Sequence, residues 1–253
     1  MRVPLLLAAL LMPVIAWLSQ RGVFGPDNGT VSDRYPTLLV AAGYAFAIWG
    51  LIFLWDVVFA AAQLRRRHDS SALDRVRPAA TAGFALTALW MPTFSAQHFL
   101  LALAIIWTAL ACLAYAAVVL SRHHPSLAHH RWTAWAPLSL HAGWLSLAAF
   151  LNTAQVIVAY RWLDTGDMLT WSLALFAAAA VLLLVLNARM QGNGVYALAA
   201  MWGLAAVYVK QSTSPLPGAA IAAWTALGVA AVLLAQTVWL RVQAARHHHM
   251  FAD

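Results

Sequence analysis

Charge is the scarcest property of this sequence. Only 9% of its 253 residues are charged and 63% are apolar, whereas soluble domains usually have about 25% and 45–50%. Glutamate is absent, and lysine and cysteine occur once each, as Lys210 and Cys112. A single cysteine excludes an intrachain disulfide and a cysteine metal site. The composition therefore excludes a water-soluble globule and predicts an all-α integral membrane protein.

Apolar runs long enough to cross a bilayer occur eight times, given that a span needs roughly 20 residues. The run over residues 79–120 would be about 63 Å long as one helix, twice the thickness of a bilayer. We expect it to turn back at residues 95–98, its only polar stretch. The sequence therefore predicts about eight transmembrane helices, at residues 3–19, 38–63, 79–96, 99–120, 133–160, 169–187, 195–210 and 218–240.

The positive charges are divided unevenly between the two ends of these predicted helices. Eleven Arg and Lys residues fall on the side of both termini and four on the other side. Cytoplasmic loops carry the excess of cations, so we expect a multi-pass protein of the bacterial inner (plasma) membrane with both termini in the cytoplasm. The rival interpretation is that residues 1–19 are a cleaved signal peptide. The sequence after this run has no small-x-small cleavage site, which argues against it. Arginines in such short loops are topology signals, and we expect no nucleic-acid binding.

One predicted helix carries a stripe of groups that lipid would not accept. Counted from His141, spacings of 3, 7, 11 and 14 bring Trp144, Ala148, Asn152 and Gln155 onto the same helical face. Polar groups inside a bilayer are costly unless they face a partner, a cavity or a ligand. The stripe therefore predicts an internal site rather than a lipid-facing surface.

A second predicted helix repeats this arrangement. From Phe46, steps of 3, 7 and 10 place Trp49, Phe53 and Asp56 on one face of an otherwise apolar segment. Two stripes of this kind in one chain indicate a site between helices.

Asp56 is the only carboxylate clearly inside a predicted span, where a charged group is expensive. Two interpretations stay open: a buried partner, for which His141, Gln97 and Gln155 are candidates, or a side chain that reaches the headgroups near the arginines at 65–67. His141 could also ligate a haem iron, although a lone intramembrane histidine more often donates a hydrogen bond to a neighbouring helix.

Three segments in the expected order resemble the tryptophan-rich sensory proteins, also called TspO/MBR or translocator proteins. Thirteen tryptophans in the chain fit that name. The segments are residues 137–152, with Trp144 and Asn152 eight apart; Trp90-Met-Pro92-Thr-Phe94; and Ser32-Asp-Arg-Tyr-Pro36 followed by residues 43–53. The chain departs from the family's usual residues at Thr87, where an asparagine is common, and at His141, where a tyrosine is common.

The resemblance covers residues 1–160, and it implies a TspO/MBR-like five-helix transmembrane unit followed by three additional helices and a short cytoplasmic tail in residues 161–253. It also implies a pocket between helices for tetrapyrroles or sterol-like ligands, with Trp49, Trp90, Trp144 and Asn152 at that pocket. Flat aromatic faces with a few polar tips suit a large planar ligand such as a porphyrin.

We therefore predict a membrane sensor, binding protein or transporter for a hydrophobic planar ligand, with porphyrin or haem as a ligand and no required cofactor. The partners are the lipid bilayer and this small molecule, with a homodimer as an open option. A proton-coupled secondary transporter and a structural membrane subunit are the alternatives. The predicted ligand-binding residues are Trp49, Phe53, Trp90, His141, Trp144 and Asn152, and the predicted proton or polar network is Asp56 and Gln155.

Catalysis is not the favoured interpretation. The sequence has no serine nucleophile motif, no metal-ligand spacing, no nucleotide-binding loop and no pair of carboxylates. The resemblance keeps enzymatic activity open, because some relatives are reported to degrade porphyrins photochemically through pocket tryptophans. We predict neither catalytic nor metal-binding residues.

Overall fold

The computed structural model describes residues 1–64, 71–123 and 131–250, the last four of these through their backbone alone. Within these residues all regular structure is helical. A 3-10 helix (Gly43–Ala47) precedes α3 and a π-helical turn (Arg131–Trp135) precedes α6. The α-helices are α1 (Arg2–Gln20), α2 (Asn28–Arg34), α3 (Ile48–Leu64), α4 (Ser71–Ser95), α5 (Phe99–Arg122), α6 (Ala136–Tyr160), α7 (Met168–Arg189), α8 (Gly194–Ser212) and α9 (Ala219–Met250).

The prediction of an all-α membrane protein is confirmed. In the described part of the chain, eight long helices occupy the eight predicted runs, and α2 is an additional short one. Six segments are long and apolar enough to cross a membrane: α1, α3 with its 3-10 helix, α5, α6 with its π turn, α7 and α9. The two remaining long helices are less apolar, since α4 contains two prolines and three threonines and α8 ends in Lys210-Gln-Ser.

The long apolar run turns back where its polar residues indicated. Helix α4 ends at Ser95 and α5 begins at Phe99. Between them Gln97 adopts a left-handed conformation, with φ of 61°, and the His98 N–H donates to the Thr93 carbonyl at 3.0 Å. This bond closes the turn, and the prediction of two helices within residues 79–120 is confirmed.

The second predicted span begins later than expected. Residues 38–42 are not helical, and the α-helix begins only at Ile48. Pro36 has no N–H to donate, and the Thr37 hydroxyl accepts from the Leu39 N–H at 3.1 Å, which favours a turn over a helix. We call residues 36–47 the connecting segment. The apolar composition correctly predicted that residues 38–42 are largely buried, but the prediction that they are helical was wrong.

The loop before this segment contains the short helix α2. Asp27 caps it by accepting from the N–H groups of Gly29 at 2.9 Å and Thr30 at 3.1 Å. The Thr30 hydroxyl also donates to this carboxylate and holds the pKa of Asp27 below its usual value. The cap fixes α2 over the end of the bundle where α1 and α6 end.

Helix α6 lies at the centre of the bundle. It packs against α3, α5, α7 and α8, and most of its side chains are buried. Helix α1 packs against α3 and α4 on one flank, and α9 packs against α7 and α8 on the other. Two of the three C-terminal helices, α7 and α8, are therefore in direct contact with the helix that carries the main polar stripe.

Candidate functional site

The polar stripe of α6 faces inward along its whole length. His141, Trp144, Asn152 and Gln155 are buried and Ala148 is half-buried. Each polar member of the stripe contacts a different neighbour, so the site consists of levels along one helix rather than one compact cluster.

At the first level, Asp56 of α3 and His141 of α6 form a pair. The imidazole Nδ1 lies 2.7 Å from Asp56 Oδ2, and both side chains are fully buried. An ionised carboxylate can only accept, so a pair with Asp56 ionised has its proton on Nδ1. The interpretation that Asp56 reaches the headgroups is therefore wrong, because its helical register turns it into the bundle; residues 65–67, named in that interpretation, lie outside the described residues.

The other nitrogen of His141 is also engaged. Its Nε2 lies 3.3 Å from the Thr87 hydroxyl of α4. The ring stacks on Phe84 at 5.9 Å and meets the edge of Trp49 at 5.7 Å. Ligation of an iron by His141 would have to displace Thr87 or Asp56 and separate these rings. The contacts favour a hydrogen-bonding role for this histidine.

The second level is an aromatic cluster centred on Trp49. Phe53 stacks on it at 5.1 Å, Trp90 lies 6.3 Å away at a tilt, and Trp144 meets it edge-on at 5.8 Å. Phe46, from the 3-10 helix, meets Trp144 edge-on at 6.5 Å. Residues from two predicted stripes and from the third-helix motif are thus brought together around one tryptophan.

A small cavity of about 30 Å³ lies beside this cluster. Its wall includes Trp49, Trp144 and Asn152, each at least nine-tenths buried. The indole N–H groups of both tryptophans and the Asn152 amide nitrogen have no hydrogen-bond partner among the described residues. Three residues with unpartnered donors therefore line a space of water size, together with other aromatic side chains.

The Asn152 oxygen has a partner. It accepts a hydrogen bond from the Trp90 indole N–H at 3.1 Å, which fixes the orientation of the amide and leaves its nitrogen as the unpartnered donor. Trp90 of α4 and Asn152 of α6, which the family resemblance placed at a pocket, are therefore hydrogen-bonded to each other.

Replacing Trp90 with phenylalanine should lower the free energy of unfolding by about 1–3 kcal/mol, because the buried Asn152 oxygen would lose its donor. Chemical unfolding in detergent measures this. Trp107→Phe is the matched control, since its N–H donates at 3.2 Å to the half-buried Thr153 hydroxyl and about 0.5–1.5 kcal/mol is expected there. Equal losses in both variants would mean that Asn152 has found another donor.

A much larger cleft, of about 820 Å³, opens between α1 and α3. Its wall is mainly apolar and includes Leu10, Pro13 and Trp17 of α1. Trp49 and Phe53 line it from α3, so Trp49 borders both the cleft and the inner cavity. Sequence reasoning missed the cleft because the contribution of α1 carries no polar signal.

Gln155 belongs to a separate level at the other end of the stripe. Its amide nitrogen donates to the Ser32 hydroxyl of α2 at 2.5 Å. Fourteen residues of helix separate it from His141, about 21 Å. The structure thus places the two predicted members of the polar network, Asp56 and Gln155, in different clusters. Ser32 was noted in the sequence only as part of a motif, with no signal for this contact.

These observations define a multi-pass helical membrane protein with an aromatic, donor-lined cavity inside its bundle and an apolar cleft beside it. A family model for TSPO-like proteins matches residues 2–239, and the chain belongs to this family. Membership makes it, in general terms, a membrane protein of the sensor or binding type. The match runs past residue 160 and includes the last three helices. Comparisons with curated proteins and with solved structures gave no match.

Proposed function

We propose that the protein binds a hydrophobic, planar ligand with hydrogen-bond acceptors at its edge, of the porphyrin or haem type or sterol-like, and senses or moves it in the membrane. The observation that carries this proposal is the set of three buried, unpartnered donors on Trp49, Trp144 and Asn152 around one cavity. Such a donor left without a partner costs about 1–3 kcal/mol. An acceptor on the ligand, such as a carboxylate or a carbonyl group, would offset this cost.

The sizes of the two spaces indicate how such a ligand would bind. The inner cavity, at about 30 Å³, holds a water-sized group, whereas the α1–α3 cleft, at about 820 Å³, is within the usual range of small-molecule sites. The apolar body of the ligand would occupy the cleft. Because Trp49 and Phe46 line both spaces, rotation of Trp49 would let the acceptor edge reach the inner donors.

Tryptophan substitutions test this assignment. Trp49→Phe and Trp144→Phe should each weaken protoporphyrin binding roughly two- to twelvefold, since phenylalanine keeps the ring contacts but has no N–H to donate. The measurement is a titration in detergent, followed by tryptophan quenching and by the absorbance of the porphyrin. Haem and a sterol are titrated in the same way to define the ligand class.

Trp239→Phe is the matched control, because Trp239 lies on α9 with 58% of its surface exposed. It should leave the affinity unchanged. Equal weakening at all three positions would remove the case for a specific site, and no saturable signal with any of the three ligands would contradict the proposed function.

A proton-coupled secondary transporter is the second candidate, and the Asp56–His141 pair is the observation that favours it. Ionisable groups inside a membrane bundle commonly mark proton pathways, and these two are in hydrogen-bond contact at 2.7 Å. Proton uptake into vesicles that depends on an added substrate, and is lost in Asp56→Asn, would favour this candidate. Porphyrin binding without proton movement would favour the binding protein.

A further inference from the structure

The first part of the connecting segment, residues 37–42, is irregular and mostly buried backbone inside a membrane protein, and the rest forms the 3-10 helix. Leu38 and Leu39 are fully buried and Val40 nearly so. In a bilayer, backbone N–H and C=O groups outside a helix need partners, and such a segment is tolerated only against other protein. Its partners therefore decide where it lies.

Helix α8 supplies partners at the start of the segment. The side-chain nitrogen of Gln211 donates to the Thr37 carbonyl at 3.1 Å and to the Val40 carbonyl at 3.0 Å. Gln211 is itself buried. One amide thus holds both ends of the turn that the Val40 N–H closes onto the Thr37 carbonyl at 3.3 Å. The Lys210 ammonium, one residue earlier, pairs with Asp33 of α2 at 2.8 Å, although this pair is exposed and contributes little.

Helix α8 also holds the end of the segment. The Ala42 N–H donates to the carbonyl of Ala206 in the middle of α8 at 2.9 Å. The Trp202 indole N–H donates to the Ala45 carbonyl at 3.1 Å, and its ring meets Tyr44 edge-on at 5.5 Å. Trp202, Ala206 and Gln211 are spaced along about 14 Å of α8, so successive turns of that helix hold the segment from end to end.

The connecting segment is also a wall of the candidate site. Ala41 and Phe46 line the inner cavity, and Gly43, Tyr44 and Phe46 line the cleft. Phe46 is the residue whose ring touches Trp144. A displacement of the segment would therefore open both spaces at once, although no residue of α8 lines either of them.

We infer that α8 holds the connecting segment in place as the wall that closes the ligand site, with Gln211 and Trp202 as positioning residues. This inference rests on the proposed function and gives a role to the C-terminal helices: they control how long a ligand stays bound. The donors of the site recognise the ligand, and α8 keeps the wall against it.

The first arm of the test needs no ligand. Gln211→Leu and Trp202→Phe each remove the donors to the segment, and amide hydrogen exchange of the ligand-free protein in nanodiscs measures the result. Exchange at residues 36–47 should accelerate roughly two- to twelvefold. Gln236→Leu and Trp224→Phe are matched controls, because Gln236 donates to Leu184 within the C-terminal helices and Trp224 lies exposed on α9. They should leave exchange at residues 36–47 unchanged.

The second arm measures dissociation of bound protoporphyrin after dilution into excess apoprotein. Both α8 variants should release protoporphyrin faster than the parent, by a factor similar to that seen in exchange. The control variants should release it at the parent rate, and their melting temperatures should be comparable to those of the α8 variants. Unchanged exchange in both α8 variants, or faster exchange without faster release, would overturn the inference. If the parent binds no porphyrin, haem or sterol, the proposed function fails, and the exchange arm still decides whether α8 holds the segment.

Discussion

Replacing His141 with leucine should lower the free energy of unfolding by about 3–5 kcal/mol, because it would leave the Asp56 carboxylate buried without a partner. One oxygen of this carboxylate contacts His141 at 2.7 Å, and the other has no hydrogen-bond partner among the described residues. With the imidazole removed, neither oxygen would retain a donor. The measurement is chemical unfolding in detergent at neutral pH.

Replacing the other partner, Asp56, should lower the free energy of unfolding by less. Asp56→Leu leaves the imidazole Nδ1 without its acceptor, for which about 1–3 kcal/mol is expected. The double variant should recover most of the loss of His141→Leu, because an apolar pair of similar volume often replaces a buried ion pair without loss of stability. A His141→Leu protein as stable as the parent, or a double variant no more stable than His141→Leu, would show that the contact is not an ion pair that the fold must satisfy.

Most of the helices could be predicted from the composition of the sequence. With 63% apolar residues, length and hydropathy locate the helices, and residues 95–98 are the one polar place where a run of twice the bilayer thickness can turn back. Residues 38–42 of the connecting segment were assigned to a helix incorrectly because their partners lie on α8, more than 150 residues later in the chain. Hydropathy reports burial, and only tertiary contacts show that the hydrogen bonds of the backbone are made elsewhere.

For the site, the helical period of the sequence indicated which face of each helix points inward, but not which residues of other helices that face contacts. It placed Asp56 on a buried stripe and left three candidate partners, because the choice depends on how α3 is rotated against α6. The structure resolves this choice in favour of His141. It also places Thr87 against His141 at 3.3 Å, so two of the positions at which the chain departs from the family's usual residues contact each other. Single-sequence reasoning could note both departures but not their contact.

Replacing Gly143 with alanine should also destabilise the protein, by about 1–3 kcal/mol. A Cβ added there would lie 2.3 Å from the carbonyl oxygen of Tyr196 and 3.0 Å from the Cβ of Ala199, both on α8. A carbonyl oxygen within a helix cannot move independently, so α6 and α8 would have to separate. The loss should exceed the gain of about 0.5–1 kcal/mol that alanine normally gives over glycine inside a helix.

Gly228→Ala is the matched control for this effect. A Cβ at that position, on α9, would meet nothing within 4 Å, so the intrinsic helix preference should appear alone and stabilise the protein by about 0.5–1 kcal/mol. The two variants make the same chemical change and should shift the unfolding midpoint in detergent in opposite directions. A shift in the same direction would mean that α6 and α8 are not in backbone contact at Gly143. Because this contact lies beside Trp144, the separation of the helices should also displace one of the three cavity donors.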